Sequence, residues 1–243
     1  MAPLCNCCFP SRRIILKSNR LLKFMLLISM ALIACLHLVI LPSASGGYND
    51  ECFMPDDKRR ILRIMVQNIS KAFNKHGVQY WLDYGTLLGA HRTGDILRHD
   101  HDADISLLLN SDPGEAFRDL AKIGIVANGL VAKLGSVSLD FVRWKPVNTT
   151  IHGKTEVMLH KFYPSWVKDN MVVRYHHKLE TFPQSWVIPS QKIKFQGVDV
   201  AVPNPPERLL SFRYPYTFGT FGVQFPYKWK CWVPCLLRKS VGC

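Results

Sequence analysis

The spacing of apolar residues divides the chain into segments of different period. Residues 24 to 41, FMLLISMALIACLHLVIL, form an unbroken apolar run whose one titratable member is His37, long enough to cross a hydrocarbon core as a helix. From Asp56 to His76, Ile61, Leu62, Met65, Ile69, Ala72 and Phe73 recur at helical spacing, with acids at the start and Gly77 as the stop. That pattern predicts an amphipathic helix. Val78 to Leu82 reads as a strand, Asp83-Tyr84-Gly85 as a turn, and Thr86 to Arg92 as a short helix capped by Thr86. The period then becomes two: Ala103, Ile105, Leu107 and Leu109 alternate with Asp102, Asp104, Ser106 and Leu108. This predicts a strand with one apolar face and a second face that opens on two carboxylates. Asp112-Pro113 opens another helix, which Gly124 closes. Val137 to Trp144 and Val157 to Phe162 read as strands, and Lys192 to Phe195 pairs with Val198 to Val202 across Gln196-Gly197 as a hairpin. Asn204-Pro205-Pro206-Glu207 has the form of a capping box that starts a last helix. The aromatic-rich tail from Tyr214 onward shows no assignable period. Mixed helices and strands with one clear hairpin predict an α/β (α+β) domain and not a pure doubly wound sheet.

Composition narrows the class. Of 243 residues 48% are hydrophobic and 20% charged, too apolar for a disordered chain, and no fixed-period repeat is visible. Five of the 31 Lys and Arg residues (Arg12, Arg13, Lys17, Arg20, Lys23) precede the apolar run, in a stretch without acids. Placed on that side, they predict a cytosolic N-terminus and a type II, single-pass membrane protein with everything after the span in the lumen. The expected order is a cytoplasmic tail (1–23), a signal-anchor helix (24–41), a stem (42–55) and a lumenal domain (56–243). The competing reading is a cleaved signal peptide, with Ser43-Ala44-Ser45 as the small residues before the cut; the length of the run favours the anchor. Beyond residue 47 the balance is 26 cations against 18 acids, a surplus that favours anionic partners such as phosphates and does not require a nucleic acid. Cys5, Cys7 and Cys8 fall on the cytosolic side, whereas Cys52, Cys231, Cys235 and Cys243 face the lumen, where three disulfide pairings are open. Asn148-Thr149-Thr150, read as a loop, and Asn68-Ile69-Ser70, on a helix, are glycosylation sequons, the first the better placed.

Chemistry concentrates between Tyr80 and Leu109. Asp100, Asp102 and Asp104 occupy every second position, so in extended backbone they project to one side at about 7 Å intervals. Three like charges there call for a cation, and hard oxygen ligands suit Mg²⁺ or Mn²⁺. A Ca²⁺ loop is excluded, because Ile105 and Ser111 stand where that loop needs Gly and Glu. Asp140, on a separate strand, is either a fourth ligand or the base that accepts a proton from an acceptor hydroxyl. Gly85-Thr86 at a helix start offers backbone N–H groups to a phosphate, and Arg92 offers it a guanidinium or simply complements the helix dipole. A zinc site from His91, His99 and His101 is disfavoured, since on a strand His99 and His101 face away from Asp100 and Asp102.

The order of these parts, a Gly-Thr helix start, Asp-x-Asp on one strand and a lone Asp on another, resembles the nucleotidyltransferase fold of the DNA polymerase β superfamily. More narrowly, Tyr84 to Ala90 with Arg92, followed by Asp100, Asp102 and Asp104, resembles the LicD/fukutin family. Arg98-His99 stands where that family often has Pro-Trp, a departure that bears on donor recognition. The resemblance implies a nucleotidyltransferase-like mixed sheet with flanking helices. It further implies metal-dependent transfer of a phospho-alcohol, such as a polyol phosphate or phosphocholine, from a CDP-activated donor to a glycan or glycoprotein in the Golgi or ER. In that reading Asp100, Asp102, Asp104 and Asp140 hold the metal, Asp102, Asp104 and Asp140 carry the catalysis, and Gly85, Thr86 and Arg92 bind the donor. Two rivals are a nucleotide-sugar glycosyltransferase that uses the same Asp-x-Asp and a catalytically silent glycan-binding or scaffolding relative.

Overall fold

The computed structural model describes residues 12–40, 51–151, 153–164, 171–215, 218 and 231. Helix α1 (Arg12–Cys35) continues through a wider turn, Leu36–Ile40. Its stretch Arg20–Ile40 is long and apolar enough to cross a membrane and is not buried against the rest of the protein. Among the described residues none covers it.

Helix α2 (Asp56–Lys75) follows the expected bounds closely. It buries Leu62, Met65, Val66, Ile69, Ala72 and Phe73, its first-turn Asp56 and Asp57 and last-turn Lys75 complement the dipole, and Gly77 at φ +66° ends it. Strand β1 (Tyr80–Leu82) leads into α3 (Tyr84–Thr93), then β2 (Asp104–Leu108) and α4 (Gly114–Ala121). Two short strands that the sequence pattern did not reveal, β3 (Val126–Ala127) and β4 (Val131–Leu134), precede β5 (Val137–Ile151) and β6 (Lys154–Lys161). Helix α5 (Met171–Glu180) and strand β7 (Phe182–Pro183) were likewise unforeseen; the hairpin β8 (Gln191–Phe195) and β9 (Val198–Val202) and helix α6 (Pro206–Arg213) were expected.

Seven strands form one mixed sheet with the path β1-β2-β5-β4-β3, to which β6 and β7 add alongside β5. Among the described residues only β2 and β5 run parallel, and the other neighbouring pairs of this sheet are antiparallel. Strand β2 sits between β1 and β5, and after Asp104 both of its faces are buried. The expected polar face therefore vanishes after one residue: a central strand covered on both sides excludes water from Ser106 and Leu108 as well as from Ile105 and Leu107. Phe73, Phe117 and Phe141 meet on one side, where α2 and α4 pack, and Trp144, Phe182, Trp186 and Phe212 form a second aromatic group.

Three local expectations are corrected, and one open question is narrowed. Asp83, not Thr86, is the cap of α3. No capping box starts α6: Pro205 is extended at φ −80° and the helix begins at Pro206, which leaves Asn204 one residue too far back. The Asn148 sequon lies exposed on β5 and not in a loop, while the Asn68 amide donates to the Ile64 carbonyl on α2. Cys52 is disulfide-bonded to Cys231, which settles one of the open pairings and removes Cys231 from any zinc site; Cys235 and Cys243, like Cys5, Cys7 and Cys8, lie outside the described residues.

Candidate active site

The site is built around the junction of β1 and α3. Asp83 ends the strand in extended backbone, and Tyr84 takes the left-handed conformation at φ 46°, which turns the chain sharply into α3. The Asp83 carboxylate accepts from Tyr84 N–H at 2.8 Å and from Ser106 Oγ at 2.8 Å. It also accepts from Arg213 Nε at 3.2 Å and Nη2 at 3.1 Å. Ser106 Oγ in turn accepts from the Trp144 indole at 2.9 Å. Every oxygen of this buried acid is thus occupied, as a buried charge requires. The Arg213 guanidinium lies 4.2 Å from the Tyr84 ring centroid and 5.1 Å from that of Trp144. Burial, the largest single influence, works to lower its affinity for the proton, and the charge and hydrogen bond of Asp83 with the charges of Tyr84 and Glu180 together outweigh it, so Arg213 is held above its ordinary value.

Asp104, the first residue of β2, is placed by two backbone bonds. Its N–H donates to Thr86 Oγ1 at 2.8 Å, and its carbonyl accepts from Asp83 N–H at 3.3 Å. In the parallel pair of β2 and β5, Asp104 stands in register with Asp140, whose N–H donates to the Ala103 carbonyl at 2.8 Å. Residues 36 apart in sequence thereby sit side by side, each with a carboxylate. Burial, then the charges of Asp102, Asp83 and Asp140, push Asp104 well above the usual carboxylate range, and Lys161 offsets only part of this. Burial and Asp102 likewise raise Asp140. Burial, the Asp102 charge, a hydrogen bond with Asp102 and the Asp104 charge push Asp100 up to about 8. The Asp102 charge thus acts on each of the other three.

Two of the donor-binding candidates, Gly85 and Thr86, fall beside these acids, in roles partly different from those expected. The Asp100 carboxylate lies directly against Gly85, where a side-chain carbon would come within 2.0 Å of Oδ2. Thr86 is buried with its hydroxyl engaged by Asp104 N–H, so it positions the acid and does not cap the helix. Arg92 is in the last turn of α3, near His99, which burial, His101 and Arg92 together lower from its ordinary value. Among the described residues no three His, Cys, Asp or Glu side chains are already gathered as metal ligands.

Several residues of the site carried no sequence signal. Lys161, at the end of β6, donates to Tyr84 Oη at 3.2 Å and lies 3.3 Å from Glu180 Oε2, while Tyr84 Oη donates to Glu180 Oε1 at 3.2 Å. Tyr214 is half-buried near Asp100, Asp83 and Asp104; burial first and then those charges raise its phenol above the ordinary value, and Arg213 offsets part of this. Asp83 was visible only as part of a turn, and Arg213 carried no signal.

Residues 77–205, more than half of the chain, match the model of the LicD/FKTN/FKRP nucleotidyltransferase domain. The chain belongs to the LicD/FKTN/FKRP family. The LicD match begins just before β1 and ends at the start of α6, so it covers Asp83, the four clustered acids and Lys161. Two curated relatives are ribitol 5-phosphate transferase FKRP of Mus musculus and of Homo sapiens. The mouse protein is 31% identical over 165 residues, which are 64% of this chain and 31% of the relative. The human protein is 30% identical over 175 residues, 68% of this chain and 33% of the relative. The chain spans about a third of the length of these relatives. Among solved structures, the antibiotic-resistance factor ANT(2″)-Ia in complex with adenylyl-2″-tobramycin aligns at a TM-score of 0.40 and 16% identity over 68% of this chain and 82% of that one. That likeness is too slight for an argument to rest on it.

Proposed function

We propose that this LicD domain transfers a phospho-alcohol, of the polyol phosphate or phosphocholine type, from a CDP-activated donor to a glycan hydroxyl. The observation that carries the proposal is the register of Asp104 with Asp140 in the parallel strand pair, with Asp100 and Asp102 beside them. Acids forced together without matching cations make a site that accepts positive charge. Asp102, Asp104 and Asp140, with Asp100, would hold Mg²⁺ or Mn²⁺, and the donor set of hard oxygens suits either ion. Such an ion, when bound, neutralises the pyrophosphate and stabilises charge at the reacting phosphorus.

The chain's own residues have separate tasks. An ionised acid of the group, with Asp140 the most exposed of the strand pair, accepts the proton of the attacking glycan hydroxyl. The hydroxyl oxygen bonds to the phosphorus that carries the alcohol, and CMP leaves. The N–H groups at the start of α3, by Gly85 and Thr86, and Arg92 at its far end receive donor phosphate. Because the Asp100 carboxylate covers Gly85, that cradle opens only when Asp100 turns away. Membrane anchoring through α1, with the domain on the lumenal side of the ER or Golgi, completes the reading; the apolar Arg20–Ile40 and the cations before it support it.

The test is a donor panel. The full chain is incubated with Mn²⁺ and CDP-ribitol, CDP-glycerol, CDP-choline or nucleotide sugars, and CMP release is followed. Release from at least one CDP-alcohol is expected, with Asp104→Asn lowering the rate roughly 10³-fold at unchanged melting temperature. Release from none of them, or turnover of nucleotide sugars alone, would remove the reading in favour of glycosyl transfer or of a silent glycan-binding role.

A further inference from the structure

A cleft lies on the other side of the sheet from the acids. On β5, Asp140 and Arg143 are three positions apart and so project to opposite faces, and Arg143 pairs with Leu107, three residues beyond Asp104 on β2. Arg143 therefore shares the face on which Phe117 of α4 stacks against Phe141. There Arg143, with Asp112, Phe117, Asn128 and Phe162, lines a cleft of about 480 Å³, within the size range of small-molecule sites.

Three polar side chains of this cleft come from three separate segments, and each is pinned to backbone by one atom while another remains for a ligand. Arg143 Nη2 donates to the Leu109 carbonyl at 3.1 Å and to the Ser111 carbonyl at 3.0 Å. Asn128 Oδ1 accepts from Leu130 N–H at 3.2 Å and Val131 N–H at 2.9 Å, which fixes the amide and leaves Nδ2 as a donor. Asp112 Oδ1 accepts from Gly114 N–H at 2.9 Å, which leaves Oδ2 as an acceptor. No hydrogen bond among the described residues uses Arg143 Nη1, Asn128 Nδ2 or Asp112 Oδ2. Groups held this way lose little freedom when a ligand arrives. The charges of Arg143 and Asp112 cancel, so the cleft does not select an anion such as a phosphate. Fixed donors and an acceptor around the rings of Phe117 and Phe162 match a sugar, whose hydroxyls both donate and accept and whose C–H face is apolar.

We infer that this cleft binds a neutral mono- or disaccharide unit, with a ring face on Phe162 and hydroxyls at Asn128 Nδ2, the Arg143 guanidinium and Asp112 Oδ2. Because the cleft and the acids occupy opposite faces of one sheet, a sugar bound here is held without being presented to the acids. The inference does not rest on the transfer reaction proposed above.

The experiment titrates the full chain, in a detergent without a sugar headgroup, with cellobiose, α-mannobiose and N-acetyllactosamine, and with glucose 6-phosphate and glucuronate as anionic counterparts. Saturation-transfer NMR and calorimetry follow binding. Saturable binding of at least one neutral sugar is expected, weakened roughly fivefold or more by Phe162→Ala and by Asn128→Asp. Phe162 is exposed, and aspartate keeps the acceptor for Leu130 and Val131 N–H while losing the donor, so neither change should move the melting temperature. If Asn128→Asp does move it, Phe162→Ala alone decides. Asp104→Asn should leave the affinity within about twofold, as expected of a distant site. The inference is overturned by no binding of the neutral sugars, by preference for the anionic ones, or by binding that Phe162→Ala spares and Asp104→Asn abolishes. Each of these outcomes leaves the CMP-release test of the transfer reaction unchanged.

Discussion

Asp83 and Asp104 are neighbours of opposite character. Asp83 is met by a guanidinium, a hydroxyl and a backbone N–H, so it is a finished structural network. Asp104 faces other carboxylates, and that surplus charge is what a reaction can use. Gly85 belongs with the second. Replacing it by Ala sets a methyl group against the Asp100 carboxylate, a flexible group that can swing away, while Ala gains about 1 kcal/mol of helix propensity. Gly85→Ala is therefore expected to leave the thermal midpoint within a few degrees and to cut CMP release at least about tenfold, by the logic of a displaced preorganised group. Asp95 illustrates the structural kind of acid. It accepts from Arg59 Nη2 at 2.8 Å, Arg63 Nε at 2.8 Å and Ile96 N–H at 2.8 Å. Burial raises it, and the bonds from Arg63, Arg59 and Ile96 together outweigh burial, so it lies below the ordinary value. A carboxylate lowered on folding contributes stability that is present above its unfolded pKa of about 4 and is lost as pH falls through the folded value. Asp95→Asn should cost about 1 to 2 kcal/mol at pH 7, after allowance for the solvent near both arginines. Denaturant titrations at pH 7 and pH 2 should show that difference shrinking at the acid end. The acids themselves were legible in the sequence by their spacing. Their partners were not: Arg213 and Ser106 reach Asp83 across separations of 130 and 23 residues.

At the scale of elements, α3 is a short helix with a different constraint at each end. Its start meets the Asp100 side chain, but its middle meets backbone: a side-chain carbon on Gly89 would lie 2.4 Å from the Asp95 carbonyl and 3.1 Å from Leu97 N. Backbone cannot swing aside as a carboxylate can, so Gly89→Ala should destabilise by roughly 2 to 3 kcal/mol despite better helix propensity. Chemical denaturation of the Gly85→Ala and Gly89→Ala proteins side by side checks this: one substitution loses activity and the other loses the fold. The helix itself was readable, with its first residue two positions late, because the left-handed turn at Tyr84 lets Asp83 act as cap. Period alone found α2, β2, β5, β6 and the β8–β9 hairpin. It missed β3 and β4, which are too short to show a period, and α5, whose apolar stripe alternates with His and Lys residues in a chain segment without a clear start signal.

At the scale of the whole molecule, the Cys52–Cys231 disulfide ties the segment before α2 to the C-terminal tail across 179 residues. By loop entropy a cross-link that long contributes roughly 3 to 5 kcal/mol. Cys52→Ser, or reduction, should lower the unfolding free energy by that order, measured by guanidinium titration with and without reductant. The apolar N-terminal run, the amphipathic α2, the alternating β2 and the Asp-x-Asp-x-Asp spacing were decided by sequence alone, since periodicity and side-chain chemistry are local properties. That Asp140 joins Asp104 was not, because strand order and register in a sheet depend on which distant segments bury each other, and a shift of one residue would turn Asp140 to the opposite face. The same holds for Lys161 and Arg213 beside Tyr84, and for Asp100 over Gly85. Sequence determined which groups were available; only the parallel pairing of β2 with β5 decided that four acids would share one place, since their mutual repulsion has to be overcome by core burial elsewhere in the sheet.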